Sequence, residues 1–158
     1  MGAFLLNVLL ACVWTISIGP FAPMNFVIGF VLAYFALALA WGRHRDAHAY
    51  FGKSMRVIGY ALFFLRELVV ANVRVVGLVL GPKDRMRPAI IRVPIEPMSD
   101  TALTILANSV TLTPGTLTLD ISDDRSTMFV HCLHAENAEA VREEIKQGFE
   151  RRLLEIFA

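Results

Sequence analysis

The residues best placed to do chemistry lie in "NSVTLTPGTLTLD", residues 108–120. Ser109, Thr111, Thr113, Thr116 and Thr118 crowd their hydroxyls around a single Pro-Gly pair. Such a group could hold a cation through hydroxyl and carbonyl oxygens, or supply a nucleophile if a base stood beside it. No base, metal ligand or activating residue falls at a telling spacing nearby. The alternative is a bend whose solvent face carries the threonines. Pro114 and Gly115 suit the two central positions of a β-turn, because proline fixes φ and glycine supplies positive φ. Threonine is a good β-former whose hydroxyl satisfies loose backbone groups. Physical chemistry alone reads the stretch as scaffold: a helix ends before the turn and a strand begins after it.

Other candidates are weaker. His131 and His134 in "HCLH" suggest a metal site, but residues three apart on a strand point to opposite faces. His131 shares a face with Phe129 and Leu133 and reads as a half-buried, hydrogen-bonded side chain. Cys12 and Cys132 fall in unlike settings and suggest neither a disulfide framework nor a zinc site; both read as small buried hydrophobes. There is no Gly-rich phosphate loop, no cofactor motif and no nucleophile–base arrangement, so an enzyme is the least supported class. Basic loops are present, too short for a nucleic-acid surface and better suited to anionic lipid.

The elements that carry these residues follow from charge and hydropathy. The chain of 158 residues is 56% hydrophobic, with a mean hydropathy of +0.56, above the usual range for a small soluble domain. No Lys, Arg, Asp or Glu occurs before Arg43. Residues 43–56 carry net +3, residues 81–92 another +3, and residues 93–158 net −6. Two apolar runs, "FLLNVLLACVWTISIG" and "NFVIGFVLAYFALALAW", flank "PFAPM" and predict helices over 3–18 and 22–41. About 20 helical residues cross a bilayer, so both are slightly short. Pro20 and Pro23 are assigned to the tight turn between them. Trp14 and Trp41 lie towards the run ends, as interfacial indoles do. A cleaved signal peptide fits the first run poorly, because no Lys or Arg precedes the apolar core. The expected structure is a helical hairpin, returning to the cytoplasm at the basic "GRHRDAHAYFGKSMR".

A third helix is expected over 57–80. Helical spacing puts Arg66, Glu67 and Arg74 on one side, with Gly59 and Gly77 along the same stripe. Glu67 and Arg74 are spaced for an ion pair. The helix either spans, with this stripe against partner helices, or lies along the cytoplasmic surface. Basic flanks on both ends favour an interfacial or steeply inclined helix with both flanks cytoplasmic.

After Pro88 the periodicity changes. "AIIRVPIE" suits an edge strand. Ser99 offers an N-cap to "DTALTILANSVTL". "TLTLDIS" alternates as a half-buried strand does, "DDRS" makes a charged turn, and "STMFVHCLHA" returns antiparallel. In residues 138–157, Val141, Ile145, Phe149 and Leu153 give an amphipathic helix with "REE", "K" and "ERR" on its wet side. The fold class is a membrane helical hairpin plus a third amphipathic or transmembrane helix, then a small α+β (βαββα) cytoplasmic domain. The division expected is 1–81 membrane region and 82–158 domain.

Taken together, "ANSVTLTPGTLTLDI", "MFVHCLHAEN", "FERRL" and the "FLREL" helix make the chain resemble the E subunits of the Mrp-type multisubunit sodium/proton (Na+/H+) antiporters. The resemblance implies a non-catalytic, accessory subunit of the bacterial inner membrane, multi-pass, with its carboxy-terminal domain cytoplasmic. It implies large and small hydrophobic partner subunits, membrane lipid, and Na+ and H+ as ions carried by the whole complex, in the service of pH homeostasis. The family motif falls on Asn108, Ser109, Thr111, Thr113, Pro114, Gly115 and Thr116, which are expected to set the domain's fold and its docking. Arg66, Glu67 and Arg74 are the candidates for polar contact at membrane depth. The other reading is a membrane-tethered adaptor whose domain binds a cytoplasmic partner.

Overall fold

The computed structural model describes residues 2–19, 22–41, 45–81 and 86–157. Pro20, Arg43 and the basic residues Lys83 and Arg85, on which the turn and loop expectations rest, lie outside the described residues, as does the side chain of Trp41. The elements are α1 (Gly2–Ile18), α2 (Pro23–Trp41), α3 (Arg45–Leu80), β1 (Ala89–Pro94), α4 (Asp100–Leu112), β2 (Thr116–Ile121), β3 (Thr127–Cys132), α5 (Ala138–Glu143) and α6 (Arg151–Phe157), with a π-helical segment, Glu144–Glu150, joining the last two. Two compact units form, Met1–Met55 and Arg56–Ala158.

In the first unit α1 packs along α2. The buried residues of α1 are Ala3, Asn7, Ala11 and Thr15, and those of α2 are Gly29, Ala33 and Leu37. Each set recurs every four residues, and small side chains on both seams let the backbones approach, as in membrane helix pairs. A Cβ on Gly29 would sit 2.7 Å from Trp14 Cδ1 and 3.1 Å from the Ala11 carbonyl oxygen. Trp14 therefore packs across the hairpin at Gly29. Pro23 is not part of the turn but the first residue of α2, where its missing N–H leaves nothing unpaired. Among the described residues, α2 is the helix long and apolar enough to cross a membrane; α1, with 17 residues, is shorter. Helix α3 begins at Arg45, well before the expected 57. Its first turns carry aromatic residues that hold them in this unit: Asn7 Nδ2 donates to the Tyr50 hydroxyl at 3.1 Å, and the Tyr34 and Ser54 hydroxyls meet at 2.7 Å.

In the second unit the sheet order is β1-β3-β2, antiparallel throughout. Pro94 closes edge strand β1, where its lack of an N–H is tolerated. Ser99 caps α4, accepting from the Ala102 N–H at 3.3 Å. The core under one sheet face gathers Ile91, Val93, Leu106, Val110, Met128, Val130, Phe149 and Leu153. The "DDRS" turn is held by Asp124, which accepts from the Ser122 and Ser126 hydroxyls; these bonds pull its carboxyl below the usual range.

Further expectations change here. In β2 the threonines turn towards α4, while Leu117 and Leu119 are exposed. The Thr118 hydroxyl donates to the Ala107 carbonyl, a bond that is better made inside than in water. The terminal helix is not one α-helix. Its apolar residues recur every four positions, more than an α-turn holds, and the wider π winding keeps Ile145, Phe149 and Leu153 buried together. That winding also turns Glu150 inwards, only 2% exposed, although the sequence placed it on the wet side. Its Oε1 accepts from the Glu96 N–H at 2.5 Å. Of the two cysteines, Cys132 is buried and Cys12 only partly so.

Candidate functional site

The Pro-Gly turn lies in the second unit, against the carboxy-terminal half of α3. Thr113 ends α4, and the Thr116 N–H donates to its carbonyl at 3.2 Å across Pro114 and Gly115. Gly115 has φ of 92°, which makes this a type II turn with proline and glycine in their preferred places. The turn is locked to the sheet because the Leu133 N–H donates to the Gly115 carbonyl at 2.8 Å.

The threonine hydroxyls close the end of α4. Thr113 Oγ1 donates to the Ser109 carbonyl at 2.8 Å, and Thr116 Oγ1 to the Val110 and Thr113 carbonyls at 2.6 and 2.9 Å. Thr111 Oγ1 accepts from the Thr118 N–H at 3.2 Å. A helix end leaves its last carbonyls without partners, and these hydroxyls supply them. Ser109 is buried, and its hydroxyl meets that of Tyr60 on α3 at 2.7 Å. Asn108 is exposed. The motif is thus a helix stop, a turn and a clasp onto α3.

Helix α3 faces this turn with Ala71, Val75 and Leu78, and a cavity of about 450 Å³ lies between them. Its walls are mainly apolar. A Cβ on Gly115 would stand 3.3 Å from Val75 Cγ2, so glycine is needed for space as well as for φ. At the rim Arg74 pairs with Glu144 at 2.9 Å. His134 also lines the cavity, and its Nδ1 is buried without a hydrogen-bond partner among the described residues. Cys132 lies in the wall, where burial, and then the charge of Glu144, push its thiol up.

The polar residues of α3 are not arranged as expected. Glu67 is buried and pairs with its neighbour Arg66 at 2.7 Å, while Arg74 reaches across to Glu144. The pair Glu67–Arg74 does not form, because Glu67 lies on the packed side and Arg74 on its margin. Gly59 and Gly77 meet nothing that a Cβ would touch. Further along, Phe63 carries the contact: its ring stacks edge-on against Phe149 at 5.2 Å, and Arg152 lies 4.0 Å over its face. Gly148 makes room for that ring.

Three buried or half-buried polar positions escaped the sequence reading. Asn7, fully buried with Oδ1 unpartnered among the described residues, was signalled only by being polar in an apolar run. Tyr60 had no local signal, since its partner Ser109 is 49 residues away. Glu150 required the π winding. Among the described residues no group of three or more His, Cys, Asp or Glu comes together to hold a metal.

A helical hairpin with its large apolar side chains outward, followed by an α+β domain whose motif hydroxyls close its own helix end, is the class of protein these elements define. The comparisons with known proteins agree. A family model described as "Na+/H+ ion antiporter subunit" matches residues 7–156. The E subunit of the Na(+)/H(+) antiporter of Alkalihalophilus pseudofirmus is 34% identical over 152 residues, and that of Bacillus subtilis 36%, each match covering 96% of both chains. A chain in the membrane-bound sulfane sulfur reductase, an archaeal respiratory membrane complex, superposes with a TM-score of 0.62 at 27% identity, over 99% of this chain and 100% of that one. A chain in the Mrp complex from Dietzia sp. DQ12-45-1b gives 0.51 at 23% identity, over 66% and 98%, and shows a shared fold. The chain belongs to the Na+/H+ antiporter subunit family.

Proposed function

We propose that the chain is the E subunit of a multisubunit sodium/proton antiporter of the bacterial inner membrane, an accessory component required for assembly and not a catalyst. The observation that carries this reading is the match to antiporter E subunits over 96% of both chains, hairpin and domain together. In this reading α1 and α2 cross the membrane, and the basic segments 43–56, at the start of α3, and 81–92, after it, keep the domain cytoplasmic. Membrane region 1–81 and domain 82–158 then divide the chain by solvent. The turn from Asn108 to Thr116 shapes the domain for docking, while Arg66, Glu67 and Arg74 settle α3. The bare sheet face supports docking to a partner subunit: Ile90 and Leu117 flank His131 across the register, and both are exposed.

The test is a gentle-detergent purification of the natively expressed, tagged chain, with partners identified by mass. A stoichiometric set of large and small hydrophobic subunits is expected. Deletion of the chain should abolish sodium-dependent exchange, and the purified chain alone should transport nothing. Recovery with one soluble protein, and function that survives exchange of the hairpin for an unrelated one, would establish the tethered adaptor instead.

A further inference from the structure

Within the second unit α3 has two opposed faces. Tyr60, Phe63, Glu67, Ala71 and Val75 lie on one side at helical spacing. Tyr60 bonds to Ser109, Phe63 packs on Phe149, and Val75 abuts the Gly115 turn. The other side carries Ile58, Leu62, Leu65, Val69, Val73 and Val76, between 48% and 68% exposed. At 3.6 residues per turn the two sets point in nearly opposite directions. The domain therefore accompanies the helix from Tyr60 to Val75, about 22 Å of a rise of 1.5 Å per residue.

That companionship decides between the two placements of α3. If α3 crossed the bilayer, most of a hydrocarbon core about 30 Å thick would have to hold the domain as well. The domain has two edge strands, β1 and β2, with no further strand paired to them among the described residues, and lipid-exposed sheet edges do not occur in hydrocarbon. Its surface also carries Asp100, Asp123 and Arg125, each costly at depth. We infer that α3, from Ile58 to Val76, lies flat on the cytoplasmic surface of the membrane, its aliphatic stripe sunk among the lipid acyl chains and the domain hanging beneath it.

The charges agree with lipid as the occupant. Arg66 leaves the margin between the two faces; its Nη1 pairs with Glu67 at 2.7 Å and its side chain is 72% exposed, which leaves its other N–H groups free to meet phosphates while its stem lies in the apolar layer. The sequence is basic on both sides, net +3 over 43–56 and again over 81–92, which suits an anionic leaflet at each end of a surface helix. A spanning helix would leave one of those clusters on the wrong side.

This rests on the reading of the chain as a membrane subunit, and the experiment separates the two. Single cysteines at Ile58, Leu62, Leu65, Val69, Val73 and Val76 are introduced with Cys12 and Cys132 replaced by alanine. The assembled complex is spin-labelled and placed in vesicles containing anionic lipid. Depth is read from relaxation by oxygen and by a water-soluble nickel chelate, and partner subunits are quantified in the same sample. A flat profile is expected, all six labels within about one helical turn, or about 5 Å, of the same shallow depth. A depth that changes steadily over about 27 Å from Ile58 to Val76, at 1.5 Å per residue, would overturn it. So would labels shielded from both reagents, which would mean that protein covers the stripe. Missing partners with a flat profile would sink the subunit reading alone.

Discussion

The hairpin and the α+β domain use apolar residues in opposite ways. In the hairpin the buried seam is made of Ala3, Ala11, Thr15, Gly29 and Ala33, while Phe4, Leu9, Val13, Phe35 and Leu39 face outwards. In the domain Leu106, Met128, Val130 and Leu153 are enclosed and the charges other than Glu150 lie at or near the surface. One chain thus follows two rules, as the proposed placement requires of two parts that meet two solvents. Between lipid-facing helices there is no hydrophobic drive, and close backbone packing takes its place. In water the drive scales with apolar area removed from solvent. Helix α3 obeys both rules, one on each face.

The largest effects should therefore come from different residue types in the two regions. Leu106→Ala empties the domain core, and Leu→Ala losses at such sites run about 2–5 kcal/mol. Hydrogen exchange of the β3 amides in the full chain should accelerate accordingly. Leu9→Ala, on the outer side of α1 and 53% exposed, should change stability by less than about 0.5 kcal/mol. Equal losses at the two sites would break the comparison.

The converse test enlarges a small residue. Gly29→Leu forces a side chain against Trp14 and the Ala11 carbonyl, and overpacking of this kind costs about 1–3 kcal/mol. Cross-linking between α1 and α2, and recovery of partner subunits, should both fall. Gly59→Ala enters open space on α3 and should leave assembly intact, gaining about 0.5–1 kcal/mol in helix stability.

Smaller effects sharpen the role of the turn. Gly115→Ala places a Cβ at positive φ and 3.3 Å from Val75, and left-handed geometry alone costs about 1–2 kcal/mol. Ser109→Ala removes the hydroxyl pair with Tyr60 and should cost about 1 kcal/mol. If either change abolished exchange while the assembled complex stayed intact, the motif would be part of the ion route and not a clasp.

Much of this was legible in the sequence, and the reasons are local. The hairpin showed itself by an uncharged run, the Pro-Gly turn by two residues with fixed conformational demands, and the βαββα order by changes of period. What was hidden depended on distant partners or on helix winding. The inward threonines of β2 could not be read, because alternation states that two faces differ but not which one the core receives. Arg74 finds Glu144 some 70 residues away, so a pairing guessed from neighbours on α3 was bound to miss it. Resemblance supplied the transport function; the hydroxyls alone pointed only to a scaffold.

The smallest expected effect probes charge burial, where the two regions differ most: residues 1–42 hold no Lys, Arg, Asp or Glu at all. Burial raises the carboxyl of Glu150 above its ordinary 4.5, against the lowering effects of the Glu96 N–H and Lys146. Below about pH 4.5 folded and unfolded chains both hold the proton, and the group leaves stability unchanged. As the pH rises from there, the unfolded chain releases its proton first, so stability falls until the folded carboxyl also ionises and then stays level. Glu150→Gln keeps an oxygen for the Glu96 N–H and removes the titration. The variant should match the parent under acid conditions and exceed it at neutral pH, in unfolding of the full chain followed against pH. Lys146 Nζ stands 3.9 Å from the carboxylate. If that attraction outweighed burial, the variant would instead be the weaker at neutral pH, and the inward turn of Glu150 would be held by its ion pair.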